Sequence, residues 1–215
     1  MTSPILVIGN KNHSSWSLRP WLALKAAGLA FEERLIGLRR PETKAEILRY
    51  SPSGKLPLLI DGAVKVWDSL AICEYVAERA PQAGLWPQDA GARAVARAVS
   101  AEMHSGFMAL RRDYSMDIAR RFPDQGTAEA KADAARIQEI WRDCRASFGQ
   151  GRGEFLFGGF GIADCMYAPV VTRLRTYGIA LDPVSQAYSD AVLAHPAMRE
   201  WCQAAGQETP LENTN

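Results

Sequence analysis

The chain has 215 residues, of which 47% are hydrophobic, and Lys+Arg 25 against Asp+Glu 24 leave a formal net charge of +1. That length predicts one large domain or two small ones with a substantial core. The balanced charge excludes a general nucleic-acid binder, which needs a concentrated basic face. No apolar run approaches the roughly 20 residues that span a bilayer. The start, Met1 to Ile8 followed by Gly9-Asn10-Lys11, lacks the basic head and long apolar stretch of a secretory signal, so a cytoplasmic location is expected.

Two regimes meet near Pro81–Pro87, which predicts an N-terminal domain over 1–82 and a C-terminal domain over 88–215. In the first, Ile5–Ile8 reads as a short buried strand ending at Gly9. Ser17–Ala27 reads as a helix, with Pro20 in its first turn and Gly28 as the stop. Phe31–Ile36 follows as a strand, and Pro41–Tyr50 as a helix with proline at its first position. A hairpin about Asp61-Gly62 then leads to a helix capped by Asp68 or Ser69 and running to Ala80. The order βαβαββα needs a sheet covered by helices, an α/β unit. Beyond the seam the pattern is all-α. Helices are expected over Ala90 to about Arg121, Thr127 to about Phe148, Ile162–Tyr177, Pro183–Leu193 and Pro196–Ala205, with Glu208–Asn215 a frayed tail. At Gly161-Ile162-Ala163-Asp164 the acid stands three residues after an N-cap position. There it reaches back to the N-cap N–H, a structural role.

The four cysteines, Cys73, Cys144, Cys165 and Cys202, show neither Cys-x-x-Cys nor metal-ligand spacing, and with three histidines no metal site is expected. Cys73 and Cys165 sit in apolar helical patterns and read as buried free thiols. The segment Gly54-Lys55-Leu56-Pro57-Leu58 carries more information. A proline there cannot donate to a ladder and belongs at a strand's first residue or a bend. A cis bond before Pro57 would turn the Leu56 backbone groups toward an extended peptide. With the polar helix start at Asp68-Ser69 beside it, this is a receptor for a small peptide bearing a carboxylate, or else an ordinary surface hairpin.

Asn10-Lys11-Asn12-His13-Ser14-Ser15-Trp16-Ser17-Leu18-Arg19-Pro20-Trp21, Gly54-Lys55-Leu56-Pro57 and Asp68-Ser69 resemble, in order, the glutathione-site motifs of cytosolic glutathione S-transferases. The helix start at Gly161–Asp164 resembles that family's folding module, where Ser or Thr usually stands at the glycine. The Ser-Ser-x-Ser run is similar to the serine-type classes, zeta in particular, whose motif has Cys where this chain has Trp16. The resemblance implies a thioredoxin-like N-terminal domain, a helical-bundle C-terminal domain, glutathione as cosubstrate, a small electrophile as second substrate and a homodimer.

Carried over residue by residue, the resemblance makes Ser14 the hydroxyl that holds the thiolate, with Ser15 the neighbouring candidate and Ser17 a helix cap. No tyrosine precedes Tyr50 to serve instead. His13 either polarises the serine or is a solvent-exposed loop residue. Leu56, ahead of Pro57, pairs its backbone with the cysteinyl segment. Asp68 faces the γ-glutamyl ammonium and Ser69 its carboxylate. Lys55 either neutralises the glycine carboxylate or is solvated, and Trp67 packs at the domain interface. Met103, His104, Phe107 and Arg111 form one face of the electrophile pocket, unless Met103 and Phe107 are core and the other two surface. Three activities fit: a transferase, a zeta-like glutathione-dependent cis–trans isomerase of the maleylacetoacetate type, and a non-catalytic glutathione-binding protein.

Overall fold

The structure, a computed structural model, describes residues 3–208. Four strands form one sheet in the order β2-β1-β3-β4. β1 (Ile5–Gly9) runs parallel to β2 (Glu32–Ile36) and antiparallel to β3 (Leu58–Asp61), and β3 pairs antiparallel with β4 (Val64–Val66). Between them lie α1 (Ser15–Ala26) and α2 (Thr43–Tyr50), and α3 (Ser69–Arg79) closes the unit. The parallel β1–α1–β2 crossover buries Leu6 and Ile8 against Leu18, Trp21 and Leu22, while Val7, Ile36 and Leu58 pack toward Ile47 of α2. Helices therefore cover both faces of the sheet, as a strand order with a parallel pair requires. This is a thioredoxin-like domain.

Among the described residues six α-helices follow: α4 (Ala90–Ser105), α5 (Met108–Asp113), α6 (Ala128–Cys144), α7 (Ile162–Thr176), α8 (Pro183–Ala194) and α9 (Pro196–Gly206). They form the helical C-terminal domain, with α7 buried along nearly its whole length at the centre. Its first turn is tied by Asp164, whose carboxylate accepts from Gly161 N–H at 2.9 Å and Leu156 N–H at 3.1 Å. Burial outweighs these two donors and pushes the carboxyl pKa up to about 6. A Cβ on Gly161 would lie 2.6 Å from the Leu85 carbonyl, which itself accepts from Ile162 N–H. Close backbone approach is the reason glycine occupies this N-cap.

Several boundaries differ from those expected. The single helix expected over Ala90 to about Arg121 stops at Ser105. Gly106 is extended, Phe107 adopts the left-handed region with φ +59°, and the chain restarts as α5. Arg111 secures the break by donating to the carbonyls of Met103 and Gly106. Helix α6 gives way at Cys144 to a wider π-turn over Arg145–Gly149. Helix α2 starts at Thr43, not Pro41, because Thr43 Oγ1 donates to the Gly37 carbonyl and accepts from Arg40 N–H, forming a turn ahead of it. Helix α1 starts two residues earlier than expected, which places Pro20 inside it. Glu208 is anchored, not frayed: its carboxylate accepts from Lys11 N–H at 2.6 Å and Asn12 N–H at 3.0 Å. The rest of the expected tail lies outside the described residues. Cys73, Cys144 and Cys165 are buried free thiols, and burial pushes all three pKa values up.

Candidate active site

A cleft of about 740 Å³ opens between the end of β1, the Leu56–Pro57 bend, the start of α3 and the C-terminal end of α4. His13, Ser14, Ser15, Trp16, Lys55, Leu56, Pro57, Trp67, Asp68, Ser69 and His104 line it, with Leu38, Ile47 and Ser53 at its far side. Three sequence motifs that are distant along the chain thus line one cleft. The Leu56–Pro57 bond is cis, and the ladder begins only at Leu58, so Leu56 stands outside it. Lys55 is exposed at the mouth.

Ser14 occupies the N-cap position of α1 but makes no capping bond. Its Oγ lies 2.7 Å from Ser17 Oγ. Ser17 is not the cap expected of it. It is fully buried inside the first turn and accepts from Gly9 N–H at 3.1 Å, joining α1 to the end of β1. Ser15 Oγ accepts from Arg173 Nη2 of α7 at 3.1 Å. His13 takes neither of its expected roles. One ring nitrogen lies 3.1 Å from the Met116 carbonyl, and the other lies 3.1 Å from Asn12 Nδ2. A carbonyl only accepts, so Nδ1 carries the proton and Nε2 accepts from the amide. Both nitrogens are engaged, which leaves His13 no lone pair for the Ser14 proton.

At the start of α3, Asp68 Oδ1 caps the helix by accepting from Leu70 N–H at 3.1 Å, and Oδ2 lies 2.8 Å from His104 Nε2. Ser69 is fully buried, and its Oγ has no protein partner. His104 thus joins the cleft and pairs with Asp68 across the domains. Met103 and Phe107 enter the core, 1% and 8% exposed, and Arg111 turns back onto the broken end of α4. The break at Gly106 is why these four do not share one face. Trp67 is 47% exposed at the rim and does not pack between the domains, because its neighbours Asp68 and Ser69 turn into the cleft.

Sequence reasoning missed a cluster of cations. Trp16 packs against two guanidinium groups, Arg19 at 4.3 Å and Arg111 at 4.7 Å from the ring centre. Arg19 is fully buried with none of its three nitrogens partnered. Burial, then Arg111 and Arg173, lowers its pKa to about 9. Arg173 is held down in the same way, to about 10. Arginine in an apolar helical pattern was the available signal, but nothing in the sequence tied Arg173 to Ser15. The wall carrying the serines therefore sits in a positive field, which favours an anion in front of it. Among the described residues no group of three or more His, Cys, Asp or Glu is placed to hold a metal ion. Nor is any helix there long and apolar enough to cross a membrane.

Comparisons with known proteins agree with this geometry. Residues 13–79 match the family described as Glutathione S-transferase, N-terminal domain, and residues 118–204 match its C-terminal domain. A probable maleylacetoacetate isomerase from Caenorhabditis elegans is 36% identical over 108 residues, so the chain spans about half of that relative (49%) with half of its own length (50%). Glutathione S-transferase Z2 from Arabidopsis thaliana is 30% identical over 181 residues, 79% of this chain and 77% of that one. Among solved structures, a maleyl pyruvate isomerase described as a bacterial zeta-class glutathione S-transferase is 25% identical. It superposes with a TM-score of 0.75, covering 96% of this chain and 100% of that one. With both domains matched in order, the chain belongs to the glutathione S-transferase family.

Proposed function

We propose that this enzyme binds glutathione in the cleft, holds its sulfur as a thiolate with the Ser14 hydroxyl, and directs it at a small electrophile. The observation that carries the proposal is the position of Ser14. It stands at the positive end of α1, free of any capping bond, in the same cleft as a buried Ser69 hydroxyl that has no protein partner. A free cysteine thiol, with pKa about 8.5, is only a few per cent ionised at neutrality. Lowering that value by about two units takes roughly 2.7 kcal/mol. One hydroxyl donating to a charged sulfur supplies about 1.5–3 kcal/mol, and the helix terminus adds about 0.3–1 kcal/mol. The two suffice without a base, and His13, with both nitrogens engaged, is not one. Ser15 stands beside Ser14 and is the neighbouring candidate: its oxygen accepts from Arg173, which leaves its own proton free.

The remaining groups divide the tripeptide among them. The Leu56 backbone ahead of cis-Pro57 takes the cysteinyl segment and Lys55 the glycine carboxylate. Ser69 takes the γ-glutamyl carboxylate, and Asp68 the ammonium through the oxygen it shares with His104. The electrophile enters past Trp16 and His104; Met103, Phe107 and Arg111 shape that wall from behind. In this reading residues 1–82 bind glutathione and 88–215 supply the electrophile side, and the protein works as a cytoplasmic homodimer in detoxification.

A second reading has specific support, since relatives of this chain are named as isomerases. In it glutathione adds to a cis-alkene and leaves again after rotation, so no thiol is consumed. The test is retention on immobilised glutathione followed by turnover of chloro-dinitrobenzene and of maleylacetoacetate, with free thiol counted throughout. Conjugation with stoichiometric thiol loss supports the transferase, and isomer turnover with constant thiol supports the isomerase. Passage straight through the column contradicts both.

A further inference from the structure

We infer that Ser17 is a positioning residue which, through a buried hydrogen-bond relay starting at the Gly9 N–H, aims the hydroxyl proton of Ser14 at the glutathione sulfur. The protons available fix the direction of the bonds. Ser17 is fully buried, and among the described residues its Oγ has two partners: Gly9 N–H, which can only donate, and Ser14 Oγ at 2.7 Å. A hydroxyl has one proton to give and two lone pairs to fill. If Ser14 donated to Ser17, both lone pairs of Ser17 would be filled and its own proton would be left buried without an acceptor. If Ser17 donates to Ser14, every group is satisfied. The Ser14 proton is then the free end of the chain, and Ser14 lines the cleft.

The relay Gly9 N–H to Ser17 to Ser14 to sulfur has every donor pointing the same way. Each bond polarises the next, so Ser14 donates more strongly than an isolated serine. It also fixes a rotor that would otherwise be free to turn from the sulfur. The thiol's own proton leaves to solvent, and none passes along the relay. The same bond explains why α1 begins before Ser17: a serine acting as the cap there would have its hydroxyl on the helix N–H groups and could not reach Gly9.

The inference rests on the reading of Ser14 as the thiolate donor, and the experiment separates the two. Ultraviolet titration of bound glutathione is compared in the wild type, Ser17→Ala, Ser14→Ala and the double variant. Ser17→Ala is expected to raise the apparent thiol pKa by about half a unit and to lower the conjugation rate below that pKa about 3-fold. In the Ser14→Ala background the same substitution is expected to shift nothing further, because the relay acts through Ser14. Ser17→Thr, which keeps the hydroxyl, is expected to bring the pKa back toward the wild type. Should that variant not fold, Ser17→Cys, whose thiol is a weak donor, is expected to fall between alanine and serine. A purely structural Ser17 would lower thermal stability and leave the titration midpoint in place, and that result overturns the relay. A Ser17 shift that persists in full without Ser14 overturns it as well. No shift in Ser14→Ala overturns the thiolate reading itself, and the relay with it.

Discussion

Ser14 and Ser69 both line the cleft and support opposite expectations. Ser14→Ala removes the hydroxyl from the sulfur, so the conjugation rate at neutral pH is expected to fall about 10-fold to a few tens-fold, as a loss of roughly 1.5–2 kcal/mol requires. The pH–rate profile should move to higher pH with it; an unmoved profile would transfer the role to Ser15. Ser69 is buried with its Oγ unpartnered, so the folded protein gains nothing from that hydroxyl. Ser69→Ala is expected to weaken glutathione binding about 10-fold, measured by calorimetry, with thermal stability unchanged or slightly raised. A drop in stability with intact affinity would contradict the assignment. At this scale the sequence carried much of the cleft's lining, because Ser14, Leu56-Pro57 and Asp68-Ser69 are contiguous motifs. Ser17 and Arg173 were not legible as site residues. Their meaning lies in partners eight and 158 positions away, Gly9 and Ser15 respectively.

At the scale of elements, the start of α7 makes a pH prediction. Burial raises the Asp164 carboxyl to about 6 from an ordinary value of 3.8, so between those values the folded state binds the extra proton. The sign follows: stability from this group is fully present below the unfolded value and is lost as pH rises through about 6, by roughly 3 kcal/mol. Urea denaturation of Asp164→Asn from pH 4 to pH 7 should lack that slope, so its deficit against the wild type is expected to be largest in acid and to shrink toward neutrality. Parallel profiles for the two proteins would contradict the buried-carboxylate account. The capping signature at Asp164 was readable because it is local. The break between α4 and α5 was not, since apolar residues continue at helical spacing through Met103, Phe107 and Leu110 and signal one unbroken helix. What ends it is Phe107 in a left-handed conformation, sustained by its own burial and by Arg111 on the carbonyls of the previous turn. Tertiary packing overrides the periodicity there.

Over the whole molecule, the site is assembled by a clasp between the loop that follows β1 and the C-terminal domain. Asn12 donates to Asp117 at 3.0 Å and to His13, and accepts from Ala119 N–H at 2.9 Å. Trp201 donates to the Lys11 carbonyl at 2.9 Å, and Lys11 stands over Trp21 and Trp201 at 5.3 Å from each ring. Asn12→Ala leaves several of these groups buried without partners and is expected to destabilise by about 2–3 kcal/mol, read from urea denaturation. The same variant should raise KM for glutathione more than it lowers kcat, because it loosens the loop that carries Ser14; an equal effect on both would contradict the clasp. Two domains and their order were legible from the change in periodicity near Pro81, but how the domains hold each other was not. The bonds from Asn12 to Asp117 and Ala119 and from Trp201 to Lys11 join residues more than a hundred positions apart. The central claim, that this fold keeps a bound sulfur ionised, is tested most directly by ultraviolet titration of the wild-type protein saturated with glutathione. The account predicts a thiolate absorbance already present at neutral pH, with an apparent pKa about two units below that of the free thiol. A complex whose thiolate band appears only at the pH where free glutathione ionises would contradict it.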